Sequence, residues 1–304
     1  MKRQKEKTAL THINNCAQDK VFMTVLYVVL ALVLIVVIYP LLFVLFASMS
    51  DPQYVNSGAL LLYPKGFNLL GYQQVFRDQR ILIGYGNTIY YTVFGTILAV
   101  AVNMMGGYAL SRDDLPGRGI VMALFVFTMY FSGGMIPSFL VVKLLGLYNT
   151  RAAIILPTLI STWNMIIMKT ALQAVPDALE ESARLDGAND LVILFQILVP
   201  VVKATIAVIA LYYVVGEWNS WFNAMIYLRD NSKRPLQLFL REILIENSTN
   251  ANASANVDAD ISAAFLEESI KYCTIIVATV PILCIYPFVQ KYFVTGVMMG
   301  SVKG

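Results

Sequence analysis

Charge is what this sequence lacks most. Asp, Glu, Lys and Arg together make up 13% of its 304 residues, against about 25% in an ordinary soluble chain. A soluble fold of this length needs charged side chains over its surface even where the core is large, so the deficit excludes a pair of soluble domains. A membrane is the implied solvent. Histidine is nearly absent: His12 alone is available, which removes the raw material for histidine-based metal centres or nucleophile–histidine catalysis and leaves His12 as a solvated tail residue. Cys16, Cys273 and Cys284 are too few and too scattered for a disulfide framework or a zinc site. A net charge of +3 is too small for a nucleic-acid binder. No Gly-x-x-x-x-Gly-Lys-Ser/Thr loop occurs, so the chain is expected to bind neither ATP nor any other cofactor or metal itself.

What fills the chain instead is apolar, with 58% of residues in the AVILMFWYC set and a mean hydropathy of +0.66. About 20 apolar residues cross the hydrocarbon as a helix, and six nearly uncharged runs are that long or close to it. They are Val21 to Ser50, Ile81 to Ser111, Gly119 to Val142, Ala152 to Met168 with its extension toward Val175, Ala204 to Leu228, and Tyr272 to Gln290. The expected fold is an all-α integral membrane protein of six transmembrane helices, residues 21–304, behind a basic tail of residues 1–20. A cleaved signal peptide has an apolar core of about 7–15 residues, and the first run is far longer and contains Pro40, so it reads as an uncleaved helix. Lys2, Arg3, Lys5 and Lys7 place the N-terminus in the cytoplasm, and six crossings return the C-terminus there. On this topology the long stretches Asp51 to Arg80 and Arg229 to Lys271 lie outside. The second contains the Asn-rich run Asn247 to Asn256, which has too little apolar surface to pack alone and reads as a polar loop.

One cytoplasmic segment carries a pattern, residues 175–200. Pro176 suits the first turn of a short helix, Asp177 and Glu180 suit its positive end, and Glu180 stands four residues before Arg184, the spacing of a helical ion pair. Gly187 stops that helix. Asn189 or Asp190 then caps a second one ending near Pro200. Five acids against one base in this window make an acidic knob, opposite to the usual cytoplasmic bias.

The spacing Glu181-Ser-Ala183, three residues, Gly187, nine residues, Ile197-Leu-Val-Pro200 resembles the EAA signature of ABC-importer permeases, with Ser182 and Val199 as departures and Asp186-Gly-Ala188 matching the common extension. The segment Leu145 to Thr150, the Trp218-Asn219 pair and the tail from Pro287 to Gly304 resemble the carbohydrate-uptake branch, and Gln290-Lys291-Tyr292 within that tail is most similar to permeases of alginate- and pectin-type importers. The resemblance implies a type I importer permease fold in the bacterial cell membrane. It implies a second permease, a different chain; two cytoplasmic ATPase subunits that hold the ATP and magnesium; and an extracellular solute-binding protein that delivers an oligosaccharide. It implies that Glu180, Glu181, Ala183, Arg184, Asp186, Gly187, Ala188 and Pro200 couple the chain to the ATPase. In that scheme Glu181 binds across the interface, Ala183 permits close approach, and Gly187 sets the bend. The segment 229–271 falls where the family inserts a scoop toward the binding protein, and a passive linker explains its composition equally.

Polar and aromatic residues inside the spans give the candidates for the sugar path: Asn87, Tyr91, Asn164, Tyr213, Glu217, Trp218 and Asn219. Glu217 leads, because an ionisable residue in a span is costly and usually faces the interior. Snorkelling or pairing with the partner permease are its other roles, and interfacial anchoring is the ordinary role of the aromatics. A secondary transporter is the rival function. It has no need of an acidic bent helix at this spacing.

Overall fold

The computed structural model describes residues 17–56, 63–253, 269–284 and 287. The basic tail up to residue 16, residues 288–304 and the end of the Asn-rich run lie outside the described residues. Helix α1, Ala17–Ser48, forms because its uncharged run offers the backbone no other partner in lipid. It leaves the rest of the chain along almost its whole length, and only its last turn is buried, where Ser48 Oγ lies 2.8 Å from Tyr72 Oη. The short α2, Pro52–Asn56, and α3, Leu70–Arg77, lead into α4, Gln79–Ser111. At 1.5 Å per residue α4 is about 50 Å long, more than the membrane's hydrocarbon core. It is the axis of the bundle.

The third expected span is divided. Helix α5, Arg118–Tyr130, ends at an extended stretch before α6, Met135–Leu144, and neither is long enough by itself to cross. Next come α7, Ala152–Ile155, extended as a tighter turn to Thr158, and α8, Thr162–Gln173, bent by 50° from it. Helix α9, Asp177–Leu185, precedes α10, Asp190–Val201, and an 88° bend separates α10 from α11, Lys203–Trp218. The bend follows Pro200. Proline has no N–H to return to the preceding turn, and the wide π-helical winding of Ile193–Leu198 just before it takes up the mismatch. Helices α12, Phe222–Tyr227, α13, Leu236–Ala253, and α14, Ser269–Cys284, complete the described chain. Among the described residues, two helices are thus long and apolar enough to cross singly, and the two bent pairs raise the number to four.

Helix α4 packs against α8, α11 and α13. Without a hydrophobic drive between helices in lipid, close approach at small residues has to supply the contact. Gly84 provides it for α13: a Cβ there would stand 2.9 Å from Leu236 Cα and 3.1 Å from its backbone nitrogen. Helix α13 occupies the described part of the stretch from Arg229 to Lys271 that was expected to be a long outer loop. Leu236, Leu238, Phe239, Leu240 and Ile243 are buried, and the helical backbone runs on through the Asn-rich run to Ala253. The apolar residues before Asn247 supply the packing that the run itself cannot.

The turn before α13 is stapled from several directions. Asn149, at φ 60°, accepts through Oδ1 from the backbone N–H groups of Arg229 and Asp230, each at 3.0 Å. The Ser232 hydroxyl and N–H donate to Asp230 and hold its carboxyl below the usual carboxylate range.

Candidate functional site

Helix α9 stands at the α4 C-terminus, and its sequence explains its shape. Pro176 leads into the helix, and Asp177 and Glu180 occupy the first turn. Past Leu185 the chain reverses at Gly187, whose φ of +83° disfavours any side chain although nothing lies within 4 Å of a Cβ placed there. Asn189 Oδ1 then accepts from Val192 N at 2.9 Å and caps α10.

The ion pairing differs from the expected one. Glu180 does not meet Arg184 but pairs with Arg112, the residue that ends α4, and both side chains are largely buried. Arg112 also donates from Nε to Ser111 Oγ at 3.0 Å, and its guanidinium lies 4.9 Å from the Tyr108 ring centroid. Tyr108 Oη donates to Asp190 Oδ1 at 3.2 Å, and Arg184 Nη2 donates to the same oxygen at 3.1 Å. The end of α4 therefore holds both arms of the bend, α9 through Glu180 and α10 through Asp190. The sequence pattern contained no signal for Arg112 or Tyr108, which sit outside it.

The knob has two faces. Glu180 and Ala183 are buried against the bundle, so neither is presented to a partner, and Ala183 O accepts from Ala188 N at 2.9 Å. Glu181, Arg184, Asp186, Gly187 and Pro200 are exposed, and Ala188 is half-buried. Leu185, absent from the expected set, is 89% exposed at the tip.

The path candidates separate into three groups. Asn87 and Tyr91 are committed to the turn before α13: Asn87 Nδ2 donates to the carbonyls of Ser232 and Arg234 at 2.8 and 3.0 Å, and Tyr91 Oη donates to that of Lys233 at 2.6 Å. Trp218 is buried and donates from Nε1 to Ala278 O at 3.2 Å, tying α11 to α14. These three serve the bundle.

Asn164, Tyr213 and Glu217 line one cleft of about 570 Å³ between α8 and α11, together with Trp163 and Tyr212. Tyr213 Oη knots its inner wall, donating to Leu159 O at 3.0 Å and accepting from Asn103 Nδ2 at 2.8 Å. Glu217 is 5% exposed and accepts from Thr158 Oγ1 at 2.7 Å. Asn219 belongs to a second cleft, of about 380 Å³, where α13 and α14 meet the α11–α12 connection. Among the described residues, no three His, Cys, Asp or Glu side chains are grouped as metal ligands.

A knob gripped at one end of a 33-residue helix and polar clefts farther along the bundle suit a conduit moved from outside itself. Residues 115–299 match the family described as the binding-protein-dependent transport system inner membrane component. The chain belongs to that family. This importer-permease family is membrane-embedded, and its members are transport subunits. The chain is 40% identical over 287 residues to the polygalacturonan/rhamnogalacturonan transport system permease protein YtcP of Bacillus subtilis, covering 94% of this chain and 100% of that one. It is 39% identical over 269 residues to Protein LplC of the same organism, covering 88% and 90%. Among solved structures, it superposes with a TM-score of 0.82 and 33% identity on a chain from a bacterial ABC transporter involved in the import of the acidic polysaccharide alginate, covering 91% of this chain and 98% of that one. The all-α permease fold expected from the sequence is therefore the fold of this family.

Proposed function

We propose that this permease forms one half of the path of an importer for acidic oligosaccharides, driven through α9 by ATPase subunits that are separate chains. The remaining half is a second, different permease; an extracellular binding protein delivers the sugar; ATP and magnesium reside on the ATPase pair. Six crossings, counting each bent pair and α5 with α6 as one, leave both termini in the cytoplasm. The observation that carries the reading is the two-faced knob. Its inner side is bound to α4 through Arg112 and Glu180, while its outer side presents Glu181, Arg184 and a bare Leu185. A leucine so exposed, with Leu179 also exposed earlier on the same helix, suits insertion into a partner's groove. Motion imposed there reaches α4, and through α4 the helices it packs against, which is how a closing ATPase pair would shift the bundle between two packings. The transport substrates named for the relative YtcP and for the alginate importer support an acidic sugar.

The test is reconstitution of the whole complex in vesicles with binding protein loaded with trigalacturonate. ATP hydrolysis should rise and sugar accumulate. Leu185→Asp should remove the stimulation while the chain still inserts, since the lost apolar burial is about 1.5–3 kcal/mol before any charge penalty. An intact complex that no uronate oligosaccharide stimulates would overturn the reading.

A further inference from the structure

The second cleft differs from the first in charge. The 570 Å³ cleft is lined by one carboxylate, Glu217, and no cation; the 380 Å³ cleft is lined by one cation, Arg241, and no carboxylate. Its volume is at the small end of ligand pockets, which run from about 300 to 1,000 Å³. That is space for one sugar unit rather than a chain. Asn219, Trp221, Gln237, Arg241, Thr274 and Thr279 supply its polar and aromatic walls.

Arg241 is half-buried, and like Arg77, Arg151 and Arg229 it has no carboxylate within ion-pair distance among the described residues. Arg80, Arg112, Arg118, Arg184 and Arg234 each pair with one. Its guanidinium carbon lies 4.1 Å from the Trp221 ring centroid, and Nη1 lies 3.0 Å from Met225 Sδ, a weak acceptor. Stacking on an indole uses the flat face of the guanidinium and leaves its in-plane N–H fork unspent. The fork is the geometry that grips a carboxylate through two parallel hydrogen bonds. Trp221 is itself fixed edge-on by Phe222, with ring centroids 5.5 Å apart, so the arginine is held in one plane before any anion arrives. A second, independent observation comes from α14, which also lines the cleft. Thr274 is fully buried, and its hydroxyl has no hydrogen-bond partner within the described chain.

The cleft sits at the end of the bundle remote from α9. Helix α13 packs on α4 at Gly84, near its start, whereas the knob is gripped at Arg112, beyond its end. A cation there meets sugar on arrival rather than on release. We propose that this cleft is a carboxylate-selecting subsite that takes one uronate unit of the incoming oligosaccharide, with Arg241 forked onto its carboxylate and Trp221 holding the guanidinium flat. This rests on the acidic-oligosaccharide reading above and adds to it the residues that read the charge.

The experiment uses the complete transporter in vesicles and two probes, trigalacturonate and its carboxyl-reduced neutral counterpart, each supplied as fully loaded binding protein whose concentration is varied, so that KM refers to the loaded binding protein. Arg241→Gln should raise the KM for trigalacturonate about tenfold relative to the intact transporter and leave the KM for the neutral probe where it was. Arg241→Lys should recover part of the difference, because it keeps the charge and loses the fork, and Trp221→Leu should weaken selection with the charge intact. An equal change for both probes, or none for either, overturns the subsite. So does failure of Arg241→Gln to co-purify with the second permease, which would assign Arg241 to a carboxylate of the partner protein. If the intact transporter moves the neutral probe and no uronate at all, the acidic-substrate reading fails first, a result distinct from uronate transport that ignores Arg241.

Discussion

Arg112 shows what a single residue does when its partner is far away in sequence. It reaches Glu180 across 68 positions and leaves both charges little exposed. Removing one member of a buried pair costs more than the pair contributes, about 3–5 kcal/mol, because the survivor keeps its desolvation without its counter-charge. Arg112→Met should therefore lower the thermal stability of the assembled transporter and separate binding-protein stimulation from ATP hydrolysis. The swap Arg112→Glu with Glu180→Arg should restore part of both. Denaturation midpoints of the four members of the cycle check this, and strictly additive effects would sink the clamp. Nothing within the window pointed to it, since the helical spacing of Glu180 and Arg184 was the only ion-pair signal there. Local spacing describes which residues share a helix face; it is silent on the arginine that another helix brings to that face. Glu181, Asp186 and Gly187 were legible for the opposite reason, because solvent exposure and a positive-φ bend are decided within a few residues.

At the scale of elements, α13 is the piece that composition concealed. The Asn-rich run dominates a window average, yet the helix is anchored by the residues before it, and the anchor is a glycine on another helix. This gives a comparison in which propensity and packing oppose each other. Alanine is worth about 1 kcal/mol more than glycine in a helix interior, so Gly86→Ala, with nothing within 4 Å of the new Cβ, should be neutral or stabilising. Gly84→Ala gains the same propensity and drives a methyl to 2.9 Å from Leu236 Cα. Backbone cannot rotate away as a side chain can, and overpacking of this kind costs about 1–3 kcal/mol. Hydrogen exchange over residues 236–245 should accelerate in Gly84→Ala and not in Gly86→Ala. Equal protection in both would show that α13 is held by something other than this contact. The division of the expected third span into α5 and α6 was hidden in the same way, because the charge-free run that marks a span continues unbroken through the interruption.

The whole molecule is organised by α4, and its length makes the topology testable. Asp113 lies just past one end of α4 with its side chain 92% exposed, beside the knob; Asn231 lies in the turn that Asn87 and Tyr91 hold near the other end, and it too is exposed. If α4 crosses the membrane once, as a helix about 50 Å long and without charge from Ile81 onward must in order to keep its middle out of water, these two positions face opposite compartments. The orientation proposed above follows from Lys2, Arg3, Lys5 and Lys7: with the tail in the cytoplasm, α1 would cross outward and α4 would return, which puts its C-terminal end and the knob inside. In a chain carrying Cys16→Ser, Cys273→Ser and Cys284→Ser, a cysteine at Asn231 should react with an impermeant thiol reagent in intact cells, whereas one at Asp113 should react only after permeabilisation. Retained uptake by both labelled chains, before modification, confirms that the substitutions preserve the fold. Reaction of both positions from one side would mean that α4 does not span. Reaction of Asp113 alone from outside would mean that it spans in the opposite sense, placing the knob where no ATPase could reach it and removing the basis of the coupling scheme.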